Sequence, residues 1–128
     1  MTDYVFGKRQ EKKLFLQIKE NFGKDLIQDT DQFALFDFNN ENTFIELKSR
    51  RCKHDTYHDT MIGMNKVYKA KENPDNDYIF CFNFTDGLYY FKHHPNYKYT
   101  IRFAGRNDRS RDERKTYAFI PKEDLIKV

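Results

Sequence analysis

Residues 43–48, Thr-Phe-Ile-Glu-Leu-Lys, predict a β-strand whose last four residues alternate strictly between apolar and polar side chains. The alternation places Glu46 and Lys48 on one face, about 6.7 Å apart along the strand, and Ile45 and Leu47 on the other. Because apolar side chains flank the charged ones, the strand is not expected to be fully exposed. The fold therefore has to hold an acid and a base side by side in a partly enclosed sheet.

An amphipathic helix is predicted over residues 8–22, and Gly23 is its expected C-terminal stop. Its apolar side chains recur at helical spacing and form one stripe, which consists of Leu14, Phe15, Ile18 and Phe22. Glu11 lies on the same stripe. A carboxylate on the buried face of a helix is unusual unless it has a partner, so Glu11 is a candidate for a functional site.

Two short strands, at residues 25–29 and 33–38, are predicted before the strand that carries Glu46. The connecting residues 39–42 are few enough for an antiparallel hairpin, because hairpin loops usually take about 2–5 residues. This pairing brings Asp37 close to Glu46. It depends on the register, since a slip of one residue would turn Asp37 to the other face. Asp37 could also simply cap the turn that follows it.

The later segments predict a second helix and more strands, within a single domain over residues 1–128. The helix is expected at residues 59–71, the strands at 78–84, 88–92, 100–103 and 117–120, and a short closing helix or turn at 121–125. The order of helix, three strands, helix and strands favours an α/β fold of the mixed, α+β kind. In such a fold helices flank a central mixed β-sheet.

Several other classes of protein and site are not expected. No run approaches the ~20 apolar residues of a membrane helix, and the N-terminus lacks the apolar stretch of a signal peptide. We therefore expect an intracellular, cytoplasmic protein, or one at a site of viral replication, that is not secreted and has no membrane partner. Cys52 and Cys81 are expected to be free thiols. Cys52, His54 and His58 supply too few ligands for a zinc site.

Asp37, Glu46 and Lys48 together have the composition of a hard-metal site with a cation beside it. Mg²⁺ prefers oxygen ligands and usually keeps several waters, so two carboxylates and one backbone carbonyl, here that of Leu47, are sufficient protein ligands. Mn²⁺ is expected to substitute for it. Lys48 could orient an attacking water or stabilise charge in the transition state of phosphodiester hydrolysis. The sequence leaves both roles open.

Asp37, eight intervening residues and then Glu46-Leu47-Lys48 resemble the motif of the PD-(D/E)XK nuclease superfamily, with Phe36 in place of the proline. The resemblance covers about residues 6–92 and implies a restriction-endonuclease-like αβββαβ core. It also implies that Glu11, on the first core helix, reaches the metal site directly or through water. A solvated ion pair would be the simpler interpretation of Glu46 and Lys48 alone. The joint pattern of four residues on the expected elements favours the catalytic interpretation.

Basic residues occur in two patches, although the net charge of the whole chain is only +3. The candidates for contact with nucleic acid are Arg50, Arg51 and Lys53 after the motif, Lys66 on the second helix, and Arg106, Arg109 and Arg111 in a polar insert. Asp and Glu residues also lie in that insert. A solvated loop with internal salt bridges is therefore an equally good interpretation of the second patch.

These features predict a Mg²⁺-dependent phosphodiesterase that cleaves DNA, either nonspecifically or according to its structure. The DNA could be duplex, branched or single-stranded, and a resolvase-like enzyme would be expected to form a homodimer because it cuts two strands symmetrically. A noncatalytic nucleic-acid-binding module and an RNA-cleaving nuclease are the alternatives. The abundance of Lys, Asn, Asp, Tyr and Phe indicates an AT-rich coding genome, which suits a virus or phage.

Overall fold

The computed structural model describes residues 2–31, 34–104 and 115–128. Its elements, in chain order, are α1 (Asp3–Phe22), β1 (Ile27–Gln28), β2 (Phe38–Asn39), β3 (Thr43–Ser49), β4 (Asp59–Gly63), α2 (Met64–Glu72), β5 (Asp77–Phe84), β6 (Gly87–Lys92), β7 (Thr100–Ala104), β8 (Lys115–Pro121), a 3₁₀ turn (Lys122–Asp124) and β9 (Ile126–Lys127). Among the described residues, no helix is long and apolar enough to cross a membrane.

Helix α1 begins five residues earlier than the apolar stripe predicts. The hydroxyl of Thr2 accepts a hydrogen bond from the backbone N–H of Val5 at 3.2 Å, which satisfies one of the free N–H groups at the start of a helix. Asp3 adds a negative charge in the first turn, where the helix dipole favours it. The helix ends at Phe22 as expected, and the N–H of Gly23 donates to the carbonyl of Lys19 at 3.1 Å.

A six-stranded mixed sheet forms the centre of the protein, as expected, in the order β1-β2-β3-β5-β6-β9. Strands β3 and β5 are parallel, with Glu46 opposite Phe80, and the other neighbours in this sheet are antiparallel. The predicted β5–β6 hairpin is present; its turn residues are Thr85 and Asp86, and Gly87, the first residue of β6, has a positive φ of 152° that favours glycine. Strand β3 has β2 on one side and β5 on the other, so it lies in the interior of the sheet.

A second sheet, in the order β4-β8-β7, was not predicted. Its first strand replaces the first turns of the helix expected at residues 59–71, so that prediction was wrong for Asp59–Gly63. Thr60 and Ile62 are β-branched and alternate into the interior, which suits a strand, and β8 supplies the hydrogen-bonding partner. The helical spacing of the later apolar residues, Met64 and Val67, favoured a helix over the whole segment, although Asp59–Gly63 has the period-two pattern of a strand.

The two short strands before β3 are shorter than predicted. Residues 25–29 contribute only Ile27–Gln28, and residues 33–38 contribute only Phe38 to β2, which ends at Asn39. Residues 34–37 have no regular secondary structure, and Phe33 lies outside the described residues. The antiparallel pairing of β2 with β3 is nevertheless the one that the short loop predicts.

Buried side chains form one cluster on each face of the central sheet. Ile45, Leu47, Ile79 and Cys81 pack beneath α1, together with Ile18 of that helix. The opposite cluster joins β5 to α2 and the second sheet, and it contains Phe80, Phe82, Val67, Ala118 and Ile120. Strands β3 and β5 are therefore covered on both faces, by α1 on one side and by α2 and the second sheet on the other.

Replacing Phe80 by alanine is expected to lower the free energy of unfolding by about 3–5 kcal/mol, because it leaves a cavity in the fully buried core. Urea denaturation followed by circular dichroism measures the change. Leu16→Ala, at an exposed position of α1, is the matched control and should change the free energy by less than about 0.5 kcal/mol. Equal effects of the two substitutions would contradict this account of the core.

Candidate active site

The pairing of β2 with β3 decides where Asp37 lies. Phe38 pairs with Ile45, and the N–H of Asp37 donates to the carbonyl of Ile45 at 3.0 Å, which continues the ladder by one residue. The Asp37 carboxylate accepts a hydrogen bond from the N–H of Leu47 at 2.8 Å. Asp37 is thereby fixed beside Glu46 by the backbone of the strand that carries Glu46.

Glu46 is only 4% exposed and lies between two lysines. Its Oε2 is 3.2 Å from Nζ of Lys48, and its Oε1 is 3.7 Å from Nζ of Lys66. The two lysines differ in access to solvent, since the side chain of Lys48 is 43% exposed and that of Lys66 only 13%. Lys66 also donates to the carbonyl of Leu35. One cation is available to a substrate, and the other is enclosed behind the carboxylate.

Helix α1 brings a third carboxylate to the same place. Glu11 is buried, and its Oε2 accepts from Nζ of Lys8 at 3.2 Å and from Nε2 of Gln28 at 3.4 Å. Lys8 precedes Glu11 by three residues, which places both on one side of the helix. The acidic residue on the apolar stripe therefore has partners, one on its own helix and one on β1.

These groups line a pocket of about 280 Å³ that we call the carboxylate pocket. Its walls are Asp3, Tyr4, Gly7, Lys8, Glu11, Asp37, Glu46, Leu47, Lys48, Ser49 and Arg50. The structure thus brings together the four residues of the motif, Glu11, Asp37, Glu46 and Lys48. Their roles in a reaction remain predictions.

Crowding of the carboxylates changes their affinity for protons. Burial and, second to it, the nearby charge of Asp37 raise the pKa of Glu46, Lys48 and Lys66 oppose them only in part, and the resulting pKa is about 7. Burial likewise raises the pKa of Glu11 to about 7, and a hydrogen bond with Asp37 acts in the same direction. Burial is therefore the main reason that both glutamates bind protons more tightly than usual, and the charge of Asp37 adds to it.

Hard divalent cations fit this donor set by its chemistry. Among the described residues, no group of three or more His, Cys, Asp and Glu side chains is already arranged to hold an ion. The carboxylates of Glu11, Asp37 and Glu46 are nevertheless oxygen donors that prefer a cation to a shared proton. The hydroxyl of Ser49, in the same pocket, is buried and has no hydrogen-bond partner in the described part of the chain. A bound, hydrated ion would offset the negative charge of the carboxylates, and one of its waters would give the Ser49 hydroxyl a hydrogen-bond partner.

The basic residues after the motif are placed differently from one another. Arg50 is half-buried, and one of its terminal nitrogens donates to the carbonyl of Met61 at 2.8 Å. Arg51 is exposed and stacks over the ring of Phe6, with 4.4 Å between the guanidinium carbon and the ring centroid. Lys53 is exposed beside a second pocket.

Lys66, another expected nucleic-acid contact, has its ammonium between Glu46 and the carbonyl of Leu35, and its side chain is mostly buried. Contact between Lys66 and a nucleic acid stays a prediction. Arg106, Arg109 and Arg111 lie outside the described residues.

Sequence reasoning overlooked Lys8 and the pairing of Lys66 with Glu46. The first could have been found, because Lys8 precedes Glu11 at the spacing of helical ion pairs. The second could not, because 20 residues separate Lys66 from Glu46 and only tertiary packing brings them together.

Comparison with known proteins yields one family. A family model described as "Phage putative PDDEXK endonuclease" matches residues 7–123, which is most of the chain. No curated protein matches, and no solved structure matches. The match includes all four residues of the motif, and the fold agrees with the αβββαβ core expected for such nucleases. The chain therefore belongs to this phage endonuclease family, within the PD-(D/E)XK nuclease superfamily.

Proposed function

We propose that this protein is a divalent-metal-dependent endonuclease that hydrolyses phosphodiester bonds of DNA. The observation that carries the proposal is the convergence of Glu11, Asp37 and Glu46 with Lys48 in one pocket. Burying carboxylates close together is costly for a fold, the pKa values of Glu11 and Glu46 are raised to about 7, and a cation site is the function that the group suits best.

Asp37, Glu46, Glu11 and the backbone carbonyl of Leu47 would hold Mg²⁺ or Mn²⁺. When bound, such an ion makes water more acidic and offsets the negative charge of a phosphate. Asp37 is held in place by the Leu47 N–H, and Glu46 is held by two lysines, so these two ligands are positioned before an ion arrives. This preorganisation reduces the ordering that binding requires.

Lys48 is the residue that we expect to act on the substrate. Its ammonium is the more exposed cation on Glu46, and it can donate to a phosphate oxygen when the scissile group enters the pocket. It would then stabilise the charge that builds up on phosphorus oxygens in the transition state. Lys66 would favour the ionised form of Glu46 and hold its orientation, because its place behind that carboxylate does not depend on substrate.

Lys48→Ala is expected to lower kcat by about 10²–10³-fold without unfolding the protein, because it removes a group that stabilises transition-state charge. The assay measures cleavage of labelled single-stranded, duplex and branched DNA with Mg²⁺ or Mn²⁺, with EDTA as the blank. Lys12→Ala, at an exposed position of α1, is the matched control and should cleave at the wild-type rate.

Three outcomes of this assay would overturn part or all of the proposal. A folded Lys48→Ala variant that cleaves as fast as the wild type would remove Lys48 from the mechanism. Salt-sensitive binding of every substrate by the wild type without cleavage would identify a noncatalytic binding module. Cleavage of RNA strands, with no cleavage of DNA strands, would show that the substrate is RNA.

The metal-free protein is expected to become less stable as the pH rises from about 4.5 to about 7. Over this range Glu46 still binds a proton in the folded state but has lost it in the unfolded state, where its pKa is near the ordinary 4.5. Unfolding therefore releases protons, so a rise in pH within this range favours unfolding. Thermal unfolding in EDTA at a series of pH values measures the trend.

Replacing Glu46 by glutamine should reduce the slope of that stability profile, since the amide does not titrate, and the part that comes from Glu11 should remain. The same substitution should weaken binding of Mn²⁺, measured by calorimetry at pH 8, because it removes an ionised ligand. A Glu46→Gln variant with the wild-type pH profile and the wild-type affinity for Mn²⁺ would show that Glu46 is neither the titrating group nor a ligand.

A further inference from the structure

A second pocket, of about 340 Å³, opens beside the carboxylate pocket, and we call it the aromatic pocket. Its apolar walls come from β4, β5, β8 and the residue after the 3₁₀ turn, and include Met61, Phe84, Phe119 and Leu125. Tyr57, which is 66% exposed, lies at its edge. The volume is within the range of roughly 300–1,000 Å³ that is usual for small-ligand sites.

The loop after β3 is held firmly around this pocket. The ring of His54 stacks on Tyr89, with 4.0 Å between centroids and 5° between planes, and its Nε2 is 3.0 Å from the carbonyl of Lys122. The N–H of Lys122 donates to the carbonyl of His58 at 3.0 Å. These contacts join the loop to the 3₁₀ turn and keep the pocket open as a preformed cavity.

Arg50 lines both pockets and separates them. Its guanidinium donates to the carbonyl of Met61 and, at 3.5 Å, to the hydroxyl of Thr60, and both acceptors are neutral. Among the described residues it forms no salt bridge with a carboxylate. Burial lowers the pKa of Arg50, yet an arginine stays protonated in proteins. A half-buried cation with neutral partners retains the capacity to pair with an anion that arrives from outside.

The other charges around the aromatic pocket also favour an anionic ligand. Lys53 and Lys122 line it, and the one carboxylate in its wall, Asp59, is already paired with Arg102 at 2.8 Å. The pocket therefore combines apolar and aromatic walls with three cations, of which Arg50 also lines the carboxylate pocket. A nucleotide has matching parts, since its base is flat and apolar on both faces and its phosphate is negatively charged.

We propose that the aromatic pocket binds one unpaired nucleobase of the DNA strand, with the phosphate of that nucleotide against Arg50 and the neighbouring phosphodiester in the carboxylate pocket. The proposal rests on the proposed nuclease function and specifies its substrate class. A base stacked and paired inside a duplex cannot enter such a cavity, so the preferred DNA has a single-stranded, flipped or otherwise unpaired nucleotide next to the scissile bond. Tyr57 would stack on the base at the edge of the pocket.

Binding measured in EDTA tests this site without cleavage. Fluorescence anisotropy compares a labelled single strand with a strand of equal length in which every base is replaced by an abasic site. The wild type should bind the base-bearing strand more tightly. Tyr57→Ala should weaken binding of that strand by roughly 5- to 150-fold, because stacking of a base on an aromatic ring contributes about 1–3 kcal/mol. Tyr57→Phe should retain the wild-type affinity.

Tyr68→Ala is the matched control, since Tyr68 is 53% exposed on α2 and lies outside both pockets, and it should bind as the wild type does. On the abasic strand all four proteins should have equal affinity. The proposal is overturned if the wild type does not distinguish the two strands, or if Tyr57→Ala weakens both equally. Absence of cleavage with Mg²⁺ or Mn²⁺ would instead refute the nuclease function, and that result is independent of binding in EDTA.

Discussion

Strand β3 lies between β2 and β5 and is buried on both faces, and it carries Glu46 at its centre. Burial of an ionised carboxylate is costly unless it is paired or hydrogen-bonded. The protein meets this cost with Lys48 on the same strand and Lys66 on α2. The position of α2 over the sheet is thus linked to the charge of a single residue, and the segment before β2 is linked to it through Asp37.

Two further carboxylates, those of Glu11 and Asp37, line the same pocket as Glu46, and repulsion between like charges there lowers the stability of the fold. Neither Asp37 nor Glu11 neutralises Glu46, and the charge of Asp37 raises the pKa of both glutamates. Such an arrangement contradicts the general tendency of folds to disperse like charges, and departures of this kind concentrate at functional sites. The family match, for its part, places the chain among phage endonucleases.

The second sheet adds something that the αβββαβ core lacks. Strands β4 and β8 build one wall of the aromatic pocket, and Arg50 extends from the end of β3 to the carbonyl of Met61 on β4. The strand that supplies Glu46 and Lys48 therefore also supplies the residue between the two pockets. A short stretch of chain, residues 46–50, connects the proposed chemistry with the proposed recognition of the substrate.

Local sequence determined the elements whose pattern is dense and strictly periodic. The alternation around Glu46, the apolar stripe of α1 with Glu11 on it, and the Asp86-Gly87 pair all predicted structure that the protein has. Period and turn chemistry act over a few residues, so no partner from elsewhere is needed to infer them. The short loop after Asn39 also predicted the hairpin that brings Asp37 to Glu46.

Tertiary structure alone decided the remainder. The register that places Asp37 beside Glu46 depends on backbone pairing between strands. The same local sequence is also compatible with a register shifted by one residue, which would turn Asp37 to the other face. Asp59–Gly63 became a strand because β8 was available to pair with it, and Lys66 met Glu46 because α2 packs over the sheet. The position of Arg50 between two pockets follows from its bond to Met61. Each of these depends on contacts between distant segments, which no local pattern encodes.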